Sequence, residues 1–299
     1  MEKEFPSSYN PFGDILDREV LLWAWNENLF DNAEELERCR NQKINAFAGF
    51  IFPGFPKDKL EKVMKLLLCL FVLDDLLDVV PGRECLLYLD RLIPVKLPEP
   101  QGKSRISRVI PLINELIQNI GEAFFNQQAF KAWMDCWQNY VEGLRWEVKN
   151  RIEKRVPTLR EYQIQRLHSS GVFLAIQLLR TGGIPESCDS LKLELDIARF
   201  ICLSNDLDSL AKESDLEDFH NEVLLLQKYS QKDPVPWVIN SLKALQRRIF
   251  FGAAKLEKAS PLCKEWVKSL LNLVGGCIAW SSSTVRYQSH INGKTRLVI

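Results

Sequence analysis

Apolar residues recur at spacings of three and four along almost the whole chain, and this periodicity restricts the fold more than any other feature. Such spacing places apolar side chains on one face of an α-helix, whereas a half-buried β-strand alternates every second residue. The sequence contains no convincing run of alternation with β-branched enrichment. The periodicity therefore predicts an all-α protein.

The predicted helices are separated by segments rich in proline, glycine and polar residues. These breaks fall at 53–56, 81–82, 96–104, 156–157, 182–185 and 233–236. Helices are expected over residues 14–30, 33–49, 57–80, 104–122, 127–154, 158–181, 189–213, 216–229, 235–258 and 261–288. No break resembles an interdomain linker, so residues 1–299 are expected to form one helical domain. Several helices are apolar on more than one face, which is typical of inner helices in a bundle around an apolar cavity.

Composition and charge exclude several classes of function. Lysine plus arginine equals aspartate plus glutamate at 39 each, so no global field favours a polyanion such as nucleic acid. The longest uninterrupted apolar run, residues 66–73, is far shorter than the roughly 20 residues that a membrane-spanning helix needs. The eight cysteines are scattered and indicate reduced core thiols, and the N-terminus does not resemble a signal peptide. We therefore expect a cytoplasmic protein without a membrane span.

The first motif with chemical content lies at the end of the apolar segment 57–80, where three aspartates follow Phe71. Asp74 and Asp78 are four residues apart, so a helix places them on one face, where their oxygens reach a common hard cation. Asp75 points to the side, where a basic residue could pair with it. Carboxylates near a helix C-terminus oppose the macrodipole, and a bound cation resolves this conflict. On this segment alone, a solvated acidic helix end is the alternative.

A second polar stripe consists of Asn205, Ser209 and Glu213, at successive spacings of four residues. An amide oxygen, a hydroxyl and a carboxylate form an all-oxygen ligand set suited to Mg²⁺ that also takes water and phosphate oxygens. Lys212 beside this stripe offers a point charge for phosphate. The stripe alone fits an ordinary polar helix face, but together with the aspartate segment it favours a metal site.

A third motif, Arg286 followed by Tyr287, stands after an apolar helix near the C-terminus. Arginine suits bidentate contact with phosphate oxygens, and tyrosine adds a neutral donor. Without the other two motifs, the pair would be read as a helix cap.

The three motifs, in the order DDxxD, NDxxSxxxE and RY, resemble those of microbial class I terpene synthases. Further landmarks of that family extend the resemblance over nearly the whole chain: Asn10, Pro11, Trp23, Trp25, Phe55, Pro56, Trp146, Glu147 and the segment 157–162. The resemblance implies a single class I terpenoid synthase α-domain that ionises a linear prenyl diphosphate and cyclises the carbocation. Farnesyl diphosphate is the favoured substrate and geranylgeranyl diphosphate the second. Similar proteins are often homodimers.

The resemblance also implies roles for individual residues. Three Mg²⁺ ions are expected, two bound from one wall by the aspartate motif Asp74, Asp75 and Asp78, and the third bound from the other wall by Asn205, Ser209 and Glu213. The implied diphosphate-binding residues are Arg166, Asn205, Lys212, Arg286 and Tyr287. Similar enzymes often carry two adjacent arginines at the diphosphate sensor, whereas this chain has a single arginine, with Leu167 at the other place. We assign Arg166 as the sensor and Ser170–Gly171 as the helix break that follows it.

Aromatic faces are the safest stabilisers of a carbocation, at roughly 0.5 to 2 kcal/mol each. Phe71 and Trp280 match pocket aromatics of the family, and Phe173 is a weaker candidate. Plain core packing explains any one of them equally well. The chain has three histidines, His168, His220 and His290, and none is clearly sited as a base. Final deprotonation is therefore assigned to diphosphate or water.

Two other functions are compatible with parts of this pattern. A chain-elongating prenyl transferase uses similar metals but normally carries a second aspartate-rich motif, where this chain has the Asn/Ser/Glu stripe. A non-catalytic helical binding protein of the same fold is the other alternative, and the intact motifs argue against it.

Overall fold

A computed structural model of the chain describes residues 4–79, 83–92, 104–180, 189–215, 219–230 and 233–287. Within these ranges all regular structure is helical and no strand occurs, which confirms the predicted all-α class. The chain divides into two compact units. The first unit is Ser8–Arg155, and the second unit combines Met1–Ser7 with Val156–Ile299. The single domain expected for residues 1–299 stays a prediction.

The first unit contains seven α-helices among its described residues. They are α1 (Gly13–Asn26), α2 (Ala33–Asn41), α3 (Ala46–Ile51), α4 (Lys57–Val79), α5 (Arg83–Leu89), α6 (Arg105–Phe124) and α7 (Gln127–Glu153), with a 3₁₀ turn at Asp90–Leu92. Helix α4 is central because it packs against α1, α3 and α6. Its apolar residues are buried on several faces, as the sequence pattern predicts for an inner helix.

Two buried tryptophans connect α7 to the rest of the first unit. Trp133 donates a hydrogen bond to the carbonyl of Ile117 at 3.2 Å, and Trp137 donates one to the carbonyl of Leu92 at 2.7 Å. Both indoles are buried almost completely, so their N–H groups need these partners. Asn126 caps the start of α7 by accepting a hydrogen bond from the Ala129 amide.

The second unit also contains seven α-helices among its described residues. They are α8 (Leu159–Ser169), α9 (Val172–Leu179), α10 (Leu191–Asp208), α11 (Leu210–Asp215), α12 (Glu222–Ser230), α13 (Val235–Leu256) and α14 (Pro261–Ser283). Helix α10 packs against α8, α9, α12, α13 and α14, so it is the central helix of this unit. The N-terminal segment belongs here too, because Phe5 stacks on Phe250 and contacts the edge of Phe200.

Several predicted helix boundaries are wrong. The helix expected over 33–49 is two helices, because the chain turns between them with Lys43 in the left-handed region at φ 51°. The helix expected over 158–181 is interrupted at the predicted break, where Gly171 has φ 72°. Helix α5 was not predicted, since only three of its seven residues are buried and so short a segment shows little periodicity.

The remaining expectations concern the cysteines, the breaks between helices and membrane spans. Five of the described cysteines have free, buried thiols, as predicted: Cys39, Cys69, Cys85, Cys202 and Cys263. Cys136 and Cys277 are only half-buried, and Cys188 lies outside the described residues. The breaks predicted at 81–82 and 182–185 lie outside them as well. Among the helices that are described, none combines the length and the apolar character needed to cross a bilayer.

Candidate functional site

The carboxylates of three aspartates come together in the last two turns of α4, within the first unit. One oxygen each from Asp74, Asp75 and Asp78 lies within 4.8 Å of the others. Asp75 therefore belongs to the cluster, although helical spacing predicted that it points aside. Asp78 pairs with a basic residue, since its Oδ1 lies 3.0 Å from Nη2 of Arg151 on α7.

This cluster suits a divalent cation. Opposite ligands of Mg²⁺ are roughly 4.2 Å apart, twice the metal–oxygen distance of about 2.1 Å. Only one pair among three ligands can be opposite, and adjacent oxygens lie roughly 3 Å apart. The aspartate oxygens, which lie within 4.8 Å of one another, must therefore draw closer to share one ion. No basic residue stands in the last turn of α4, where the negative end of the helix dipole also favours a cation.

The second set of predicted ligands lies in the second unit, where α10 passes into α11. The amide of Ser209 donates to the carbonyl of Asn205 at 2.8 Å, and the amide of Glu213 donates to the carbonyl of Ser209 at 3.0 Å. Helical spacing thus continues across the junction, and the three residues form the predicted stripe.

The hydroxyl of Ser209 is buried and poorly hydrogen-bonded. Ser209 is 2% exposed, and its Oγ makes no hydrogen bond of acceptable geometry within the described part of the chain. A looser contact with Glu213 lowers the pKa of that carboxyl, but its geometry falls short of a hydrogen bond. A buried polar group left unsatisfied costs about 1 to 3 kcal/mol, so this oxygen is suited to bind a cation.

The Glu213 carboxyl group is placed where its ionised form is disfavoured. Burial, reinforced by the negative charge of Asp206, raises the pKa of Glu213 to about 8. The guanidinium of Arg166 acts in the opposite direction. A bound divalent cation compensates a buried carboxylate directly, so Glu213 and Ser209 together fit a metal ligand set.

Both ends of the Asn205 amide are held by other candidate residues. Arg166 Nη2 donates to Asn205 Oδ1 at 2.7 Å, and Asn205 Nδ2 donates to the hydroxyl of Tyr287 at 3.0 Å. The guanidinium has only donors, which fixes the orientation of the amide. The structure thus brings three predicted diphosphate-binding residues into one hydrogen-bonded group.

Asp206 organises this group, although sequence reasoning gave it no role. It is fully buried, its Oδ1 lies 3.1 Å from Arg166 Nε, and its Oδ2 accepts hydrogen bonds from the Tyr162 hydroxyl at 2.8 Å and the Glu222 amide at 3.0 Å. Burial raises the pKa of Asp206, while Arg166 lowers it. The sequence signal for this role was its position directly after Asn205. The next residue on a helix points about 100° away from the ligand stripe, so Asp206 is placed to hold a neighbour such as Arg166 rather than to join the stripe.

The Arg–Tyr motif follows α14 and is buried. Arg286 and Tyr287 are both less than a tenth exposed, and the ring of Tyr287 meets the ring of Trp280 edge-to-face at 6.0 Å. Burial raises the pKa of Tyr287 to about 12, so its phenol is a neutral donor near pH 7. Trp280 therefore contacts Tyr287, one of the predicted diphosphate-binding residues.

Lys212, another predicted diphosphate-binding residue, lies on α11 and is half-buried.

The other predicted aromatic residues are in packed surroundings. Phe71 meets the ring of Phe47 edge-to-face at 5.6 Å in the first unit. Phe173, at the start of α9, has its ring 6.1 Å from that of His168 in the second unit. A role for these rings in stabilising a cation stays a prediction.

The histidines have structural contacts. Burial lowers the pKa of His168, so the neutral imidazole is favoured. The backbone carbonyl of His220 lies 2.9 Å from the Tyr162 hydroxyl oxygen, whose single hydrogen is shared between this carbonyl and the Asp206 carboxylate. His290 lies outside the described residues.

Residues 65–234 match the family described as terpene synthase family 2, C-terminal metal binding. The match covers more than half of the chain and includes both the aspartate cluster and the Asn205, Ser209 and Glu213 stripe. The chain therefore belongs to this terpene synthase family. The predicted enzyme class is confirmed at the family level, as are divalent metal binding and prenyl diphosphate as the substrate class of the family.

Individual relatives agree with this assignment. The chain is 25% identical over 239 residues to (+)-eremophilene synthase of Sorangium cellulosum, covering 76% of this chain and 71% of that protein. It is 25% identical over 229 residues to 4-epi-cubebol synthase ((2E,6E)-farnesyl diphosphate cyclizing) of Streptosporangium roseum, covering 74% and 69%.

A solved structure supports the predicted fold. The crystal structure of linalool/nerolidol synthase from Streptomyces clavuligerus is similar with a TM-score of 0.80 and 17% identity, covering 94% of this chain and 100% of that one. This likeness shows the fold alone. The chain has the all-α fold of class I terpene synthases, as the sequence motifs predicted.

Proposed function

We propose that this terpene synthase cyclises farnesyl diphosphate to a terpene hydrocarbon or alcohol with release of diphosphate, and that geranylgeranyl diphosphate is its second candidate substrate. The observation that carries this proposal is the hydrogen-bonded group of Arg166, Asn205 and Tyr287, which combines a cation ligand with diphosphate donors. The substrate named for the relative from Streptosporangium roseum supports farnesyl diphosphate.

The metal in this proposal is Mg²⁺, with three ions in all. Their proposed ligands are Asp74, Asp75 and Asp78 on α4 and Asn205, Ser209 and Glu213 at the junction of α10 and α11. Ligand sets made only of oxygen favour Mg²⁺, Ca²⁺ and Mn²⁺ over the softer metals. Bound Mg²⁺ supplies Lewis-acid stabilisation of the departing diphosphate.

In this proposal the basic residues hold the diphosphate as negative charge develops on it. Separating unit charges at ~4 Å costs on the order of 4 kcal/mol at an effective dielectric constant of 20, so the leaving group needs compensation. Each hydrogen bond to a charged group contributes about 1.5 to 3 kcal/mol, and it strengthens as the leaving oxygen becomes anionic. The proposed donors are Arg166, Lys212, Arg286 and Tyr287.

Asp206 and Tyr162 prepare Arg166 for that task. The carboxylate of Asp206 accepts from Arg166 Nε, and the amide oxygen of Asn205 accepts from Arg166 Nη2. Tyr162 fixes the other oxygen of the same carboxylate. The orientation of Arg166 is therefore set before substrate binds, which lowers the entropy cost of binding.

The carbocation requires an apolar environment and has few safe partners. Phe71 and Trp280 are the proposed aromatic faces, each worth roughly 0.5 to 2 kcal/mol by cation–π attraction. The final proton leaves to diphosphate or water in this proposal. A homodimer and a cytoplasmic location stay predictions.

The test is incubation of the purified protein with geranyl, farnesyl or geranylgeranyl diphosphate and Mg²⁺, followed by gas chromatography–mass spectrometry and measurement of released diphosphate. We expect a cyclic hydrocarbon or alcohol from farnesyl diphosphate, and loss of this product when EDTA removes the metal. Formation of a longer diphosphate when isopentenyl diphosphate is added would identify the chain-elongating alternative. A folded protein that turns over no substrate would identify a non-catalytic one.

A further inference from the structure

Asn221 uses all of its side-chain polar atoms and is completely buried. Its Oδ1 accepts hydrogen bonds from the amides of Val223 at 2.8 Å and Leu224 at 3.2 Å, at the start of α12. Its Nδ2 donates to the carbonyl of Asp206 and to Oε2 of Glu213, both at 2.6 Å. One side chain therefore joins the end of α10, a predicted metal ligand and the first turn of α12.

The contact with Glu213 matters because it is short and acts on a carboxylate carried by a short helix. Glu213 lies on α11, a helix of six residues that follows the junction at Ser209. A glutamate side chain has three rotatable bonds, and ordering it at the moment of metal binding costs entropy. A hydrogen bond that orders the carboxylate beforehand removes part of this cost.

We propose that Asn221 is a positioning residue that fixes Oε2 of Glu213 and thereby orients this carboxylate to bind a divalent cation. The inference rests on the proposed function, in which Glu213 is a metal ligand. Residues that orient metal ligands typically change metal affinity by 10- to 100-fold when they are replaced. Asn221 has the geometry of such a residue, and it couples the ligand to Asp206 and so to the Arg166 group.

The two roles of Asn221 can be separated by substitution. Serine is a good helix N-cap, so Asn221→Ser keeps an acceptor for the first turn of α12 but is too short to reach Glu213. Asn221→Asp keeps the capping oxygen and replaces the donating amide by an oxygen, which repels Oε2 of Glu213. The matched control is Ser260→Ala, which removes the cap of α14 where Ser260 Oγ accepts from the Cys263 amide at 3.1 Å, far in sequence from the ligand stripe.

The experiment measures Mg²⁺ binding by isothermal titration calorimetry in the presence of inorganic diphosphate, and separately the Mg²⁺ concentration at half-maximal turnover. We expect Asn221→Ser to raise the Mg²⁺ dissociation constant by roughly 10- to 100-fold. Asn221→Asp should raise it by at least as much, and the half-maximal Mg²⁺ concentration should rise in step while kcat at saturating Mg²⁺ changes less. Ser260→Ala should bind Mg²⁺ like the unmodified chain.

A double-mutant cycle with Glu213→Ala shows whether Asn221 acts through this ligand. In that background, Asn221→Ser should change Mg²⁺ affinity by less than roughly two-fold, because the partner is already gone. The inference is overturned if folded Asn221→Ser and Asn221→Asp proteins bind Mg²⁺ as the unmodified chain does, or if the loss is as large without Glu213. If the unmodified chain itself binds no Mg²⁺ with diphosphate, the proposed function fails and this inference fails with it.

Discussion

The contact between the N-terminal segment and α14 gives a sharp test of the packing in the second unit. A Cβ atom added to Gly275 would lie 2.0 Å from the backbone oxygen of Pro6 and 3.2 Å from that of Phe5. Backbone cannot rotate away as a side-chain tip can, so Gly275→Ala must displace the segment. Displacement separates Phe5 from Phe250, whose ring centroid is 4.9 Å away, and from Phe200, at 5.1 Å.

The magnitude follows from these contacts. Two aromatic pairs contribute about 0.5 to 1.5 kcal/mol each, and exposing the half-buried Phe5 ring adds roughly 1 kcal/mol. Alanine is better than glycine in a helix interior by about 1 kcal/mol, which offsets part of the loss. We therefore expect Gly275→Ala to lower the free energy of unfolding by about 1 to 3 kcal/mol.

The assay is urea unfolding followed by circular dichroism, with Gly252→Ala in α13 as the matched control. Among the described residues, a Cβ atom at Gly252 meets Leu193 atoms alone, at 3.6 and 3.9 Å, so that substitution should raise stability by roughly 0.5 to 1 kcal/mol. In a chain that lacks residues 1–7, Gly275→Ala should raise the free energy of unfolding instead of lowering it. The backbone of Phe5 and Pro6 is then absent, and the better helix propensity of alanine is the remaining effect. A destabilising Gly275→Ala in the shortened chain would refute the reasoning.

Three further substitutions test the candidate site and the electrostatics. Asp74→Asn should abolish turnover of farnesyl diphosphate while circular dichroism shows an intact helical fold; full activity would remove Asp74 from its assigned role. Arg151→Gln removes the cation paired with Asp78 and should lower the Mg²⁺ concentration at half-maximal turnover several-fold. The control is Arg248→Gln, which breaks an ion pair between the exposed Arg248 and Asp196. A higher Mg²⁺ requirement in Arg151→Gln would contradict competition between Arg151 and the metal for Asp78. Burial lowers the pKa of Lys59 from 10.5 to about 8. Between these two pH values the unfolded chain therefore binds more protons than the folded chain does. The stability contributed by Lys59 consequently rises with pH across that window. Lys59→Met should remove this rise between urea titrations at pH 8 and pH 10, and an unchanged rise would assign it to other groups.

The ligand stripes were predictable from sequence because they depend only on local geometry. Asp74 and Asp78, like Asn205 and Ser209, are four residues apart, and helical spacing alone places such pairs on one face. The junction at Ser209 did not disturb this, since the backbone hydrogen bonds continue across it. Predictions of this kind need no knowledge of any other segment.

The partners of those ligands were not predictable because they come from distant segments. Tyr162 and Asp206 are 44 residues apart, and Arg166 and Asn205 are 39 residues apart. Asn221 belongs to a region that was expected to be a helix interior, whereas it caps α12 and contacts Glu213. Such contacts depend on how helices pack, which periodicity does not determine.

Both proposed ligand sets follow a helix that packs against several others in its unit. Helix α4 is surrounded by α1, α3 and α6, and helix α10 by α8, α9, α12, α13 and α14. The helix dipole disfavours carboxylates at the end of α4, whereas burial together with the charge of Asp206 disfavours the ionised form of Glu213 after α10. A bound divalent cation offsets both effects, and the gain is larger for the buried Glu213 than for the partly exposed aspartates of α4. The proposed metal site at the α10–α11 junction therefore depends on burial, whereas the one at the end of α4 depends on the proximity of three carboxylates.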